Sequence, residues 1–152
     1  MSNANTVRLM DYSNKFKEFD LSAAAIAGML MEIDSDGKLK PNSSGEDTNA
    51  QKIFLFEKEL EGKEMNEQLE SGEKVQAWYP GPGDEVNAIL VDGETVSIGD
   101  LLASNGDGKL QATTATAAAV AVAREAMDLS GSSGEESSGA LGYDKRIRAE
   151  VL

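Results

Sequence analysis

Apolar residues recur along this chain in short runs of about four to eight positions, and many of them alternate with polar residues. The clearest run is QKIFLFEKEL at 51–60, followed by VQAWYP at 75–80 and VNAILV at 86–91. The last segment, KRIRAEVL at 145–152, alternates apolar and charged side chains, as a half-buried strand does. Fifteen glycines are scattered through the chain. This pattern predicts an all-β fold, a small β-barrel or sandwich with at most one or two short helices.

Weaker runs predict further strands. We expect one near Lys15–Asp20, one at Met29–Ile33, and a pair within ETVSIGDLLAS (94–104) that breaks at Gly99. The dipeptide Asp92-Gly93 is of the kind that closes a tight hairpin.

Two segments leave alternatives open. The charged stretch EGKEMNEQLESGEK at 61–74 is either a short helix or a polar connection. At 115–127 the alanines favour a helix, whereas the alternating valines and the preceding threonines favour a strand. We favour the strand because the surrounding segments are β.

The domain organisation follows from composition. Residues 1–20 are polar and mixed, without a long period, and predict an extended N-terminal arm. Residues 21–152 then form one β-barrel domain, a size that can bury a real core. Within it, 129–142 is rich in Ser, Gly and Glu and lacks the apolar area that would offset ordering entropy, so we expect a flexible loop.

One phrase occurs twice, in GMLMEIDSDGKLKP at 28–41 and GDLLASNGDGKLQA at 99–112. Sliding the chain by 71 residues aligns the two, including Gly37 with Gly108. Glycine readily adopts the positive φ of tight turns, and Asp and Asn stabilise turn backbone. We therefore interpret the phrase as one hairpin built twice, with Gly37 and Gly108 as structural turn residues together with Gly83 and Gly99.

Two chemical readings of the phrase fail. An EF-hand loop with Gly37 at its sixth position has Ser43 where the bidentate Glu is required, and the second copy has Thr114 there. A phosphate-binding loop needs Ser or Thr after Gly-Lys, but Leu39 and Leu110 occupy those positions. We expect no metal site and no cofactor.

Composition narrows the function classes further. The chain contains no histidine and no cysteine, which removes His-based and Cys-based triads and the common zinc sites. Its net charge of −13 disfavours nucleic acid, because affinity for phosphates comes from Lys and Arg. No apolar run is long enough to span a membrane, and the first residues do not form a secretory signal.

The stretch VQAWYPGPGDEVNAILVDGETVSIGDLLASNGDGKLQ at 75–111 is more specific. It resembles the head decoration, or cement, proteins of tailed phages and related viruses, in which a line like PGDEVNA precedes a GD-LL corner and a DGKL hairpin. An Ala-rich strand like AVAVAREA and a final strand like KRIRAEVL follow. The resemblance covers 28–41 and 75–152, and it is weakest at 57–74 and 129–142.

The resemblance implies a β-rich barrel with an N-terminal arm, a homotrimer seated on the capsid exterior of the virion, and the major capsid protein as partner. It implies a structural, non-enzymatic role. Three other classes remain: a generic structural or adhesive β-domain, a lipoyl- or biotinyl-type carrier suggested by TVSIGDLL, and an enzyme that uses carboxylates alone.

The arm holds the candidate interaction residues. Large apolar side chains in a polar, unpatterned segment point to use as anchors, and anchors of this kind carry most interface energy. The candidates are Val7, Leu9, Tyr12, Phe16 and Phe19. The alternative is that they cover the mouth of the domain's own barrel.

Overall fold

The computed structural model describes residues 6–10, 15–45, 50–58, 62, 65–130 and 145–152. Tyr12 lies outside these residues, and so do positions 131–142 of the flexible loop predicted at 129–142.

Short strands dominate the described residues, and the prediction of an all-β fold is confirmed. A single 3₁₀ turn, at Thr116–Ala118, is the one helical element in this part of the chain. The strands are β1 (Arg8–Met10), β2 (Phe16–Asp20), β3 (Leu30–Ile33), β4 (Leu39–Pro41), β5 (Ile53–Leu55), β6 (Lys74–Trp78), β7 (Glu85–Ile89), β8 (Thr95–Val96), β9 (Leu101–Ser104), β10 (Leu110–Ala112), β11 (Ala121–Ala123), β12 (Met127–Asp128) and β13 (Arg146–Val151).

The strands form two large antiparallel sheets with a repeated order. One sheet runs β2-β6-β5-β3-β4, and the other runs β1-β7-β13-β11-β9-β10. Without β1, the second order is the first with each strand replaced by its counterpart further along the chain. The pair β8–β12 likewise has a counterpart in the bridge between Ala25 and Leu69. We call the strands β2–β6 unit 1 and the strands β7–β13 unit 2.

The pairing register is also repeated, residue by residue. The pair Phe16↔Trp78 corresponds to Glu85↔Glu150, Phe54↔Trp78 to Val122↔Glu150, and Met31↔Pro41 to Leu102↔Ala112. Backbone hydrogen bonds at the corner before β3 follow the same rule: Gly28 N donates to Leu55 O, and Gly99 N donates to Ala123 O. The repeated phrase in the sequence therefore belongs to a duplicated five-stranded unit, and the predicted repeated hairpin is one part of it.

The turns of the two hairpins have the same chemistry. In unit 1, Oδ1 of Asp34 accepts hydrogen bonds from the backbone N of Asp36 and of Lys38, both at 2.9 Å. In unit 2, Oδ1 of Asn105 accepts from the backbone N of Asp107 at 3.1 Å and of Lys109 at 3.2 Å. The Asp34 carboxylate and the Asn105 amide thus accept the same pair of backbone hydrogen bonds. The glycine three residues later has positive φ in both turns.

The two units are buried differently. One face of the unit 1 sheet forms a core with residues such as Leu21 and Ile26. Its other face, with Phe54 and Trp78, joins the core of unit 2. Unit 1 is therefore covered on both faces of its sheet, and each fully buried side chain of this size contributes roughly 1.5–3 kcal/mol.

Three local expectations need correction. The segment at 115–127 is not one strand, because a 3₁₀ turn precedes β11 and β12. Asp92-Gly93 does not close a hairpin, because Val91 N donates to Leu110 O and β8 pairs with β12 instead. The two strands within 94–104 exist, but β8 and β9 are not paired with each other.

The charged segment at 61–74 is not helical at any of its described residues, which are 62 and 65–74. It is a connection held by Leu69, whose N and O exchange backbone hydrogen bonds with Ala25 at 2.8 and 2.9 Å. The start of β6 follows at Lys74.

The two turn glycines should differ in their tolerance of a side chain. Replacing Gly37 by Ala should cost about 1–2 kcal/mol through its positive φ alone, because no described atom lies within 4 Å of the added Cβ. Replacing Gly108 by Ala should cost at least about 1 kcal/mol more, because its Cβ would lie 3.0 Å from Pro41 Cβ and 3.3 Å from Leu30 O. Urea unfolding of the two variants measures the difference, and equal losses would contradict the packing described here.

Asp34 should contribute to acid sensitivity. A hydrogen bond from the Ser22 side chain, followed by the one from the Lys38 backbone, lowers the pKa of Asp34. Since the folded pKa lies below the unfolded one, this stabilisation is present above the unfolded pKa and is lost as pH falls through the folded pKa. The Asp34→Asn variant copies Asn105, so it should keep the turn and lose less stability on going from neutral pH to about pH 2. Thermal midpoints against pH test this, and identical acid slopes in the two proteins would refute it.

Candidate interaction surfaces

The predicted arm is part of the domain in this structure. The strand β1 pairs with β7, and β2 pairs with β6 along five residues. Val7 is fully buried and Leu9 is half-buried. Phe16 and Phe19 are half-buried as well, each packed against one of the two cores. The expectation of an extended arm is corrected by these contacts, and the alternative, coverage of the domain's own core, describes these four residues.

The strand β1 is held between the two units. Asn87 N of unit 2 donates to Val7 O at 2.7 Å, while Val7 N donates to Glu57 Oε2 at 3.1 Å. The guanidinium of Arg8 lies 5.4 Å from the ring centre of Phe16 and 6.0 Å from that of Phe56. A cation over aromatic rings is attracted by their quadrupoles. The strand thus fills the junction between the units.

The junction also contains a close approach at Gly28. A Cβ there would lie 2.8 Å from Asn87 O and would overlap the guanidinium of Arg146. Arg146 is buried and donates hydrogen bonds to Asn66 Oδ1 at 2.9 Å, to Met65 O at 3.0 Å and to Asn87 O at 3.3 Å. The alternation in KRIRAEVL assigned Arg146 to an exposed face, and a strand pattern holds no signal that distinguishes a buried arginine.

The second contact of the junction is made by the turn of unit 2. Gly108 O accepts from Leu30 N at 2.8 Å, and Gly108 N donates to Asn42 O at 3.1 Å. Ser104 Oγ donates to Asn42 Oδ1 at 3.2 Å. All four turn glycines named above have positive φ, but Gly108 is the one that this contact requires to be small.

The outer face of unit 2 carries ion pairs where unit 1 carries aromatic rings. Nε of Arg148 lies 2.5 Å from Glu85 Oε1, and Nε of Arg124 lies 3.1 Å from Glu150 Oε1. Arg148 N also donates to Glu125 Oε1 at 2.8 Å. The Arg124–Glu150 pair is about one-third exposed on both side chains, and a surface pair of this kind contributes little stability. Glu85 is buried, and the guanidinium of Arg148 compensates the charge of its carboxylate.

Among the described residues, no group of three or more acidic side chains is placed to hold a metal ion. No helix in the described part of the chain is long and apolar enough to cross a membrane. Gly28, Gly108 and β1 form an interface between the two units of one chain.

The burial of β1 leads to a test of the corrected arm. Replacing Val7 by Ala should destabilise the isolated domain by about 1–3 kcal/mol, because the side chain is fully buried between the units. Leu9→Ala is the control on the same strand and should cost less, because Leu9 is half-buried. Urea midpoints of the two variants decide the matter, and an unchanged midpoint for Val7→Ala would restore the free arm.

Comparison with known proteins finds a similar fold among solved structures. No family model matches the sequence, and no curated protein does. The structure is similar to that of the N base of the head fiber protein gp8.5 of bacteriophage phi29, with a TM-score of 0.56 and 13% sequence identity. The likeness covers 91% of this chain and 93% of that one, so it includes both units. At this identity the similarity concerns the fold.

Proposed function

We propose that this chain is a structural protein of a phage head, which binds the outer surface of the icosahedral capsid as a homotrimer and stabilises the shell. The observation that carries the proposal is the fold likeness to the phi29 head fiber base, which extends over both units. The decoration-protein motifs at 75–111 support it independently. The partner is the major capsid protein, and the location is the exterior of the virion.

The chemistry of the chain supports a structural role. Without histidine or cysteine, the commonest general base and the thiolate nucleophile are both missing from the sequence. The net charge of −13 argues against nucleic acid as the partner. A protein that binds the assembled shell and not its separated subunits stabilises the shell by mass action.

Trimerisation is supported by the modest core. The chain has one Trp and four Phe, and several buried positions are alanine, so burial between subunits adds apolar contact. Closed cyclic symmetry uses one interface in every pair of neighbours, which suits attachment around a three-fold position of the shell.

Particle binding tests the proposal. The purified protein should cosediment with phage heads that lack it and should saturate at a fixed ratio to the capsid protein. Decorated heads should also retain their DNA at a higher temperature than bare heads. An unrelated acidic protein of similar size, treated identically, is the control. Failure to cosediment at saturating concentration would overturn the proposal in favour of a structural or adhesive role elsewhere.

A further inference from the structure

The junction between the units uses different surfaces on its two sides. Unit 1 contributes the corner at Ala27 and Gly28 and the start of β3. Unit 2 contributes the β7–β13 pair, at Asn87 and Arg146, and the turn at Gly108. An interface of this kind is heterologous, since the two partners present unlike patches. Each unit therefore keeps one of the two patches unused within the chain.

The unused patch of unit 2 is its own corner. There Ile98 corresponds to Ala27, as the shift of 71 residues and the shared hydrogen-bond pattern show. Ala27 is 2% exposed within the junction, whereas Ile98 is 67% exposed. Gly28 is crowded by Arg146 and Asn87, but no described atom lies within 4 Å of a Cβ placed on Gly99.

The unused patch of unit 1 corresponds in position to the surface that unit 2 contributes to the junction. Ser104 is 1% exposed in the junction, and its counterpart Ile33 is an exposed isoleucine at 38%. Gly108 packs against unit 1, while its counterpart Gly37 again has nothing within 4 Å. Thus Ile98 and Ile33, two large apolar residues exposed on the described surface, lie one on each unused patch.

We propose that the corner of unit 2 at Ile98 and Gly99 binds unit 1 of a second copy of this chain, at Ile33 and the turn of Gly37. The contact repeats between copies the junction that joins the units within one copy. In the repeated contact, Gly99 lies against Glu18 and Lys74, the counterparts of Asn87 and Arg146. Leu101 N donates to Gly37 O, as Leu30 N donates to Gly108 O within the chain.

One element of the junction has no counterpart in this contact. The strand β1 covers the edge of β7, whereas the equivalent edge, on β2, has no further strand among the described residues. The side chains match this difference. Phe16 and Phe56 face β1, and their counterparts Glu85 and Arg124 are paired with exposed or half-buried charged residues. The contact between copies is therefore smaller than the junction, and its apolar part is concentrated at Ile98 and Ile33.

A heterologous contact either closes into a ring or continues as a filament. The inference rests on the proposed homotrimer for the number of copies: three copies place six units in one ring, with junctions and copy-to-copy contacts alternating. The contact itself is testable whatever that number is.

Substitution of the two isoleucines tests the contact. Ile98→Asp and Ile33→Asp should each weaken self-association by about tenfold or more, measured by sedimentation over a range of concentrations. Met10→Asp is the matched control, because Met10 is 42% exposed and lies outside both patches. It should associate like the wild type. Thermal unfolding of each variant shows whether the substituted domain remains folded.

Engineered cysteines test the geometry, because the chain has none of its own. The variant with Ile98→Cys and Glu18→Cys together should form disulfide-linked oligomers on oxidation. Each single variant should stay unlinked, because a heterologous contact does not bring a residue opposite itself. Linkage of the Ile98→Cys single variant to itself would show a symmetric contact and overturn the proposal.

The remaining outcomes separate this inference from the proposed function. If the wild type associates and the two aspartate variants associate equally well, the interface lies elsewhere while the proposed trimer stands. If the wild type is a monomer at every concentration, the contact is refuted for the free protein. Cosedimentation of that monomer with heads would still test capsid binding separately. Weakened association by both variants, with an unaffected Met10→Asp, supports the contact.

Discussion

The approach of Gly28 to Arg146 and Asn87 is the contact on which the arrangement of the two units depends. A side chain at position 28 would occupy the space of the guanidinium and of the Asn87 carbonyl. Arg146 is buried there, and a buried charge is tolerated when it is well hydrogen-bonded. The guanidinium donates to oxygens of both units and so connects the two sheets. The same guanidinium leaves no space for a side chain at position 28.

The sequence predicts the class of fold and the two hairpins well, for physical reasons. Turns restrict residue type strongly, so Asp34 and Asn105, each followed three residues later by glycine, remain recognisable at a distance of 71 residues. The rest of the duplication was not predicted. Phe16 and Trp78 in unit 1 occupy the same backbone positions as Glu85 and Glu150 in unit 2. The residue types differ because the first pair faces an apolar junction and the second faces a charged surface. The residue type at a position depends on what the side chain packs against, so equivalent backbone positions in the two units can have unrelated residues.

The candidate site was predicted less completely. The sequence singles out aromatic and apolar residues before position 20 as anchors for another protein. In the structure Val7 and Phe16 pack on the domain itself, and a contact of this segment with a second protein stays a prediction. Composition indicates that a segment packs against some surface, but it does not identify that surface. Arg146 and Glu85 were not singled out, because charged residues in an alternating strand are expected to be solvated. In a duplicated fold, interface positions can instead be recognised where counterpart residues differ in polarity.

The position of β1 has a consequence for the order of folding during synthesis. This strand precedes unit 1 in the chain but is paired with β7, and β7 is flanked on its other side by β13. Translation runs at roughly 5–20 residues per second, so β1 emerges several seconds before its partner. During that interval unit 1 can assemble its own core, while Phe54 and Trp78 on its other face still lack the residues of unit 2 that will cover them. Long-range strand pairing of this kind is slow and leaves apolar surface open to wrong partners. The nascent chain is therefore most susceptible to aggregation after its first half is complete.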